Sequence, residues 1–347
     1  MKGKTKLLNQ WASRLQVPAM LDQYWGKNRL TVLNYHRIAD VNAPDFVGFA
    51  PNVSTDAQGF ERQMQYVTSH FNVIALDDLV AYILHGTALP DKPLLITFDD
   101  GYLDNYEVAF PIMQKYGVPA VIFLLTSRMT DTHYLPWWDA CAEAIRRTRK
   151  TEVNLPVLGL RQLGDDMQNL AVSSEMIQHL KGVPEADKLS QLAQMVEALA
   201  VDLSLEKPLF VNWDQVRNLV AGGVACQPHT QTHAIMTRIA EEQVYEEIRM
   251  SKMLIEQETD QQATAFAYPN GTPADFDKTT IRILRELGYK TAFTLLPGPM
   301  PLNLVQQYPF QIKRVYLSYK DTFDTFKMKT MGVPALLDKE PFLKEEQ

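Results

Sequence analysis

Cysteine is scarce. Cys141 and Cys226 are the only two in 347 residues, and they lie far apart. Two such residues make neither a disulfide framework nor a thiolate zinc site, and low cysteine use fits a reducing compartment. No block of lysine and arginine stands out, and the net charge is −7. That argues against nucleic acid as a partner. No apolar run is long enough to span a bilayer; the most apolar, VPAVIFLL at 118–125, falls far short. The N-terminus MKGKTKLLNQWASRLQ begins basic, but no continuous apolar core follows, so no secretory signal is expected. A soluble, cytoplasmic protein is the expectation. Leu7, Leu8, Trp11 and Leu15 share one helical face behind Lys2, Lys4 and Lys6. That leaves peripheral contact with an anionic membrane open beside ordinary packing against the domain. Internal repeats and low-complexity segments are also missing.

What is present is a globular composition, 46% hydrophobic and 22% charged. Strand and helix patterns alternate. LTVLNYH (30–36), FNVIAL (71–76), LLITF (94–98), PAVIFLL (119–125), VACQ (224–227), TAFAYP (264–269), YKTAFTL (289–295) and IKRVYLS (312–318) read as strands. Helical patterns lie between them, with Gly86 and Gly117 as stops. Repeated βα units give a parallel sheet, open or closed into a barrel. Residues 128–212 break the alternation: they read as polar helices with no strong strand between them, an insertion on one side of the fold. Residues 1–29 are expected as an N-terminal helical segment, 30–320 as the main domain, and 321–347 as a polar, peripheral tail.

In parallel βα folds the functional residues gather at the C-terminal ends of strands. Asp99 and Asp100 follow LLITF, His229 and His233 follow VACQP, and Tyr268, Pro269 and Asn270 follow TAFA. In HTQTH, histidines at i and i+4 share one side of a helical turn and can reach one ion. The same spacing also describes a surface pair on a helix. With a carboxylate from another strand end, the set becomes His, His and Asp with a position left open, the composition of a catalytic zinc site. Two adjacent acids after a buried strand are costly unless used. One can be a ligand and the other a general base, since a bound cation acidifies water and polarises a carbonyl. Capping of the next helix is the competing account of the pair.

TFDDG (97–101), HTQTH (229–233), FAYPNG (266–271) and the first strand LNYHRI (33–38) resemble the motifs of the polysaccharide deacetylases, the NodB-homology group or carbohydrate esterase family 4. The resemblance runs from about Leu30 to Ser318 around the insertion. It implies an incomplete or distorted (β/α) barrel. It implies Asp99 as catalytic base, and Asp100, His229 and His233 as ligands of a divalent metal, zinc first, with cobalt, nickel or iron also acceptable. Thr230 stands where the family has the Ser or Thr that orients the loop. The family's R-x-P-Y reads AYPN here: Ala267 replaces the Arg, Pro269 is kept, and Asn270 replaces the Tyr whose backbone N–H serves the oxyanion.

Two departures follow. Arg314 is the candidate to steady Asp99 in place of the missing Arg, against an ordinary surface pair. The final L-x-H motif is absent, and His36 is the candidate general acid, against a hydrogen-bonded core histidine. Tyr268, Pro269, Trp137 and Trp138 are expected to contact substrate, although core packing also explains tryptophans. Asp139 and Asp214 read as helix caps or first-turn acids. The expected activity is metal-dependent removal of an N-acetyl group from an amino sugar. O-deacetylation or deformylation of a lipid- or nucleotide-linked sugar, and sugar binding without catalysis, are the alternatives.

Overall fold

The computed structural model describes residues 28–333 and 342–343. Residues 1–27 of the segment expected over 1–29, and 334–341 and 344–347 of the tail, fall outside the described residues. Seven parallel strands build the main sheet: β1 (Arg29–Tyr35), β2 (Pro93–Asp100), β3 (Ala120–Leu124), β4 (Val224–Pro228), β5 (Ala265–Ala267), β6 (Thr291–Pro297) and β7 (Ile312–Tyr316). The order is β5-β6-β7-β1-β2-β3-β4, so β7 pairs with β1 and brings the two ends of the domain together. Between β4 and β5 there is no ladder. The buried Gln227 side chain closes that seam instead: its Oε1 accepts from the Thr264 and Ala265 N–H groups, each at 2.9 Å, and its Nε2 donates to Gln262 O at 3.2 Å. The result is the incomplete barrel that the motif resemblance implies.

Alternation along the strands sorts the core into two layers. Leu95, Val121, Phe123, Phe293 and Ile312 fill the barrel. Leu94, Ile96, Phe98, Ile122 and Leu124 face outward beneath the helices. All eight residues of β2 are buried, as an apolar run without alternation requires. Around the barrel lie α1 (Ala57–His70), α2 (Leu76–His85), α3 (Phe110–Tyr116), and, after the insertion, α7 (Trp213–Ala221), α8 (Glu241–Thr259), α9 (Lys278–Glu286) and α10 (Leu302–Gln307). Gly86 and Gly117 end α2 and α3 at φ 67° and 61°. No helix among the described residues is long and apolar enough to cross a membrane.

Three expectations change. The strand over 71–76 shrinks to Asn72–Val73, because the next helix already begins at Leu76, with Asp78 accepting from the Ala75 N–H. The insertion holds α4 (Trp137–Arg147), α5 (Asp166–Leu180) and α6 (Glu185–Leu199), but also an antiparallel hairpin, Glu152–Leu155 with Gly159–Gln162. Val153 and Leu155 alternate inward there, a two-residue period too short to stand out beside long polar helices. The tail is not merely peripheral. Phe323–Thr330 forms α11, whose Phe326 and Met328 are buried, and Arg62 of α1 lies 3.9 Å over the Phe323 ring.

Candidate metal centre

Register places the site. Asp100 is level with Leu124, which is level with Pro228, so the last residues of β2, β3 and β4 lie side by side. His229 follows Pro228 and donates its N–H to Leu124 O at 2.9 Å. In an extended strand Asp99 and Asp100 would point to opposite faces. Asp99 points into the barrel with Leu95 and Thr97. Asp100 leaves the strand at φ 74°, which swings its carboxylate back to the same mouth. Gly101 continues at φ 79°, and a Cβ there would meet Leu124 Cδ2 at 2.6 Å.

HTQTH is not a helical turn. Thr230 and His233 take φ 70° and 65°, and Thr230 Oγ1 accepts the His233 N–H at 2.9 Å. A tight turn at the strand end thus supplies the proximity that was expected from helical spacing. Glu247 of α8 clamps it, accepting from the Gln231 and Thr232 N–H groups at 2.8 and 3.0 Å. Asp100, Thr230, His233 and Asn270 are four of the eight non-glycine residues with positive φ among the described residues. Such concentration of backbone strain is a mark of a functional site.

The ligand atoms of Asp100, His229 and His233 lie within 4.8 Å of one another. Asp100 Oδ1 stands 3.6 Å from His229 Nε2 and 3.7 Å from His233 Nε2, beyond hydrogen-bond reach, and this buried oxygen has no hydrogen-bond partner. Donors sharing a cation at bond lengths of about 2.0–2.2 Å would lie roughly 3.3–3.6 Å apart in a tetrahedron. His229 Nδ1 meets Ala267 O at 2.7 Å, which makes Nδ1 the protonated nitrogen and leaves the Nε2 lone pair facing Asp100. Burial, then the neighbouring Asp99 and Asp139, push the Asp100 carboxyl well above its usual range. Burial also lowers both histidines, His233 the further. An anionic Asp100 among neutral imidazoles is therefore unfavourable without a cation. The residues fit a divalent metal.

Asp99 is held differently. Arg314 grips it with two bonds, Nη1–Oδ1 at 2.6 Å and Nη2–Oδ2 at 2.8 Å, and Asn34 Nδ2 donates to Oδ2 at 2.9 Å. Burial alone would raise this carboxyl, but Arg314, with His229 and His36, outweighs it and keeps the group below the usual range. Arg314 is wholly buried in the barrel, so the surface-pair account does not apply. His36 Nε2 lies 3.9 Å from Asp99 Oδ2. Burial, opposed by Asp99, brings its imidazole down to about 4. Its backbone is tied by Asn105 Nδ2 to His36 O at 2.7 Å, from a π-helical turn (Asn105–Ala109) that opens α3.

Other expected residues divide. Asn270 borders the mouth, half-buried, at φ 60°, with Pro269 buried behind it. Tyr268 turns away: it is fully buried, stacks on Phe276 at 4.3 Å and donates to Phe310 O at 3.0 Å, so it is a core residue. Trp137 and Trp138 are each 4% exposed and offer no open stacking face. Lys188 Nζ lies 4.9 Å over Trp137, and Trp138 packs on His233 with ring centroids 4.5 Å apart. Asp139 is a first-turn acid of α4, as expected, but a buried one: it accepts from Tyr102 Oη and Phe49 N at 2.7 Å each, and burial raises it to about 6. Asp214 is an exposed first-turn acid paired with Arg217 at 2.5 Å. The sequence reading missed Asn34, Tyr102, Asn105 and Glu247. Asn34 alone carried a signal, an amide inside an apolar strand.

Comparison with known proteins bears on this arrangement. A family model described as polysaccharide deacetylase matches residues 86–292, more than half of the chain. A putative polysaccharide deacetylase, YxkH, of Bacillus subtilis is 21% identical over 271 residues, 78% of this chain and 66% of that protein. A poly-beta-1,6-N-acetyl-D-glucosamine N-deacetylase of Staphylococcus epidermidis is 31% identical over 116 residues, 31% of this chain and 40% of that protein. The chain thus spans less than two thirds of either relative. Among solved structures, the Streptococcus pyogenes deacetylase PplD in complex with acetate aligns at TM-score 0.58 and 15% identity, over 88% of this chain and 99% of that one. IcaB from Ammonifex degensii aligns at TM-score 0.55 and 18% identity, over 88% and 99%. At those identities the two structures show a shared fold.

Proposed function

The chain belongs to the polysaccharide deacetylase family, and on that premise we propose that it is a metal-dependent hydrolase that removes N-acetyl groups from an amino sugar. One observation carries the reading: a three-donor cluster within 4.8 Å, with a second carboxylate beside it that is bound to arginine instead. Asp100, His229 and His233 would hold the ion. A divalent cation there supplies a Lewis acid that acidifies water and polarises the acetyl carbonyl; zinc is the first choice for two imidazoles and a carboxylate.

The chain's own groups do the rest. Asp99 stays anionic under Arg314 and takes the proton as water attacks the acetyl carbon. The same grip makes Asp99 a weak base, so it suits a water already acidified. The Asn270 backbone N–H, at φ 60° just beyond the end of β5, is assigned to the developing oxyanion. His36 enters neutral, receives the proton by way of Asp99, and passes it to nitrogen as the C–N bond breaks. The products are acetate and the free amine. The N-deacetylase among the relatives supports an N-acetylated glucosamine glycan as substrate.

The test is release of acetate from N-acetylglucosamine oligomers by zinc- or cobalt-loaded protein, with O-acetylated and N-formylated sugars as comparators. Acetate and one new amine per turnover are expected from the N-acetylated sugar. Turnover of only an O-acetyl or N-formyl sugar would overturn the assignment of the bond.

A further inference from the structure

We propose that Trp138 is a positioning residue for metal binding: its indole face holds the His233 imidazole in place, and the insertion thereby completes the metal site. The inference rests on the metal reading above.

The two histidines are supported unequally. A metal-ligating histidine usually hands its other ring N–H to an acceptor, which fixes ring and tautomer. His229 does so, through Nδ1 to Ala267 O at 2.7 Å. His233 does not: its Nδ1 is buried and has no hydrogen-bond partner among the described residues. Two aromatic rings meet the His233 ring instead. One is His229, at 5.0 Å and 76° between planes; the other is Trp138, at 4.5 Å and 59°. Since His229 is itself a candidate ligand, the outside support is Trp138.

Trp138 has one position available. Its Nε1–H donates to Tyr102 Oη at 2.8 Å, and Tyr102 Oη–H donates to Asp139 Oδ2 at 2.7 Å. Asp139 Oδ1 accepts the Phe49 N–H at 2.7 Å. The Tyr102 ring stacks on Phe210 with centroids 4.9 Å apart, and the Arg37 guanidinium lies 4.8 Å from its centroid. Tyr102 is two residues beyond Asp100. The chain of contacts therefore starts beside one ligand and ends on another, passing through α4 of the insertion. A buried hydrogen-bonded chain of this kind rigidifies what it touches.

The experiment measures Zn2+ and Co2+ affinity by chelator competition, the visible spectrum of the Co2+ protein, and the melting temperature of the metal-free protein. Trp138→Leu should lower affinity about 10- to 100-fold, the usual cost of losing an outer partner of a ligand, and alter the Co2+ spectrum. Trp138→Phe, which keeps an aromatic face, should recover most of the loss. Placed on His233→Ala, Trp138→Leu should cost no further affinity. A folded Trp138→Leu protein with wild-type affinity and spectrum would overturn the proposal. If that variant does not fold, Tyr102→Phe decides: the ring stays stacked but the Trp138 acceptor is gone, so unchanged affinity overturns the proposal and a several-fold loss supports it. A wild type that binds neither ion more tightly than His229→Ala would instead overturn the metal reading itself.

Discussion

The barrel and the insertion meet at one site and contribute to it in different ways. The barrel supplies the candidate ligands and the Asp99–Arg314 pair, and it places the first of them by register: β2, β3 and β4 end level, and Asp100 and His229 fall at the rim. The insertion supplies Trp138 and Asp139, both buried, neither facing the barrel mouth as a ligand. It shares the main apolar cluster with the barrel's outer layer, through Met176, Leu180, Met195 and Leu199. Strand ends position charge because backbone ladders fix them to fractions of an ångström. Helices added later can brace that arrangement with aromatic faces without disturbing the ladder. The difference separates two kinds of variant, those that remove chemistry and those that loosen it.

Asp100→Asn should be the severest change at the barrel rim. We expect metal affinity to fall by more than about 100-fold, beyond the loss of an outer partner, and turnover to fall with it. The metal-free variant should nonetheless melt higher than metal-free wild type. Burial and the neighbouring Asp99 and Asp139 disfavour the charged Asp100, and the amide relieves that cost. Differential melting with and without Zn2+ checks both signs; a lower melting point of the metal-free variant would mean that Asp100 is not strained as described. Asp99→Asn should separate the two acids: turnover down by roughly 10²–10⁴ as a general base is lost, with metal content retained. Parallel loss of metal and activity in both variants would erase the division between them.

The insertion provides the contrast. Met195 lies fully buried in α6, within the cluster but away from the ligands. Met195→Ala should cost about 2–5 kcal/mol of stability while kcat at saturating metal stays unchanged. Denaturant unfolding and acetate release check this. A matching drop in kcat would show that the insertion acts as a whole, rather than through Trp138.

What was legible in the sequence follows the same line. β2 and its two acids stood out because a strand buried on both faces has no polar alternation to interrupt it. The barrel was readable from βα repetition, and its seam was not, since the bridge is a glutamine side chain. The pairing of His229 with His233 was readable but its cause was misread: four residues apart suits a helix, whereas left-handed Thr230 and His233 achieve the same proximity in a turn. Arg314 could be nominated only because the resemblance left a vacancy beside Asp99. Its partner is 215 residues away, a pairing that no local pattern encodes. Tyr268 was misplaced because strand-end position says nothing of which way a side chain turns. The α11 helix was lost in polar composition, although Phe323 and Phe326 carried half a pattern.

The smallest expected effect concerns His36, which stands beside Asp99, Arg314 and His229 at the rim, with Lys181 of the insertion also acting on it. Burial brings this imidazole from 6.5 to about 4. The folded protein therefore stays unprotonated at His36 where the unfolded chain takes up a proton. Stability from this group is fully present above pH 6.5 and is lost as pH falls from 6.5 towards 4. Between pH 7 and pH 5 the loss is about 2 kcal/mol at 1.36 kcal/mol per unit. His36→Gln removes that slope, so the stability gap between wild type and variant should narrow by about this amount over the interval. Urea unfolding at matched metal content reads it directly. A gap that stays constant with pH would mean that His36 titrates alike in the folded and unfolded chain, and a gap that widens as pH falls would mean that it is protonated at rest, a charge already in place for the leaving amine. A gap that narrows means that the proton must arrive during each turnover, and Asp99, 3.9 Å away, is the group placed to deliver it.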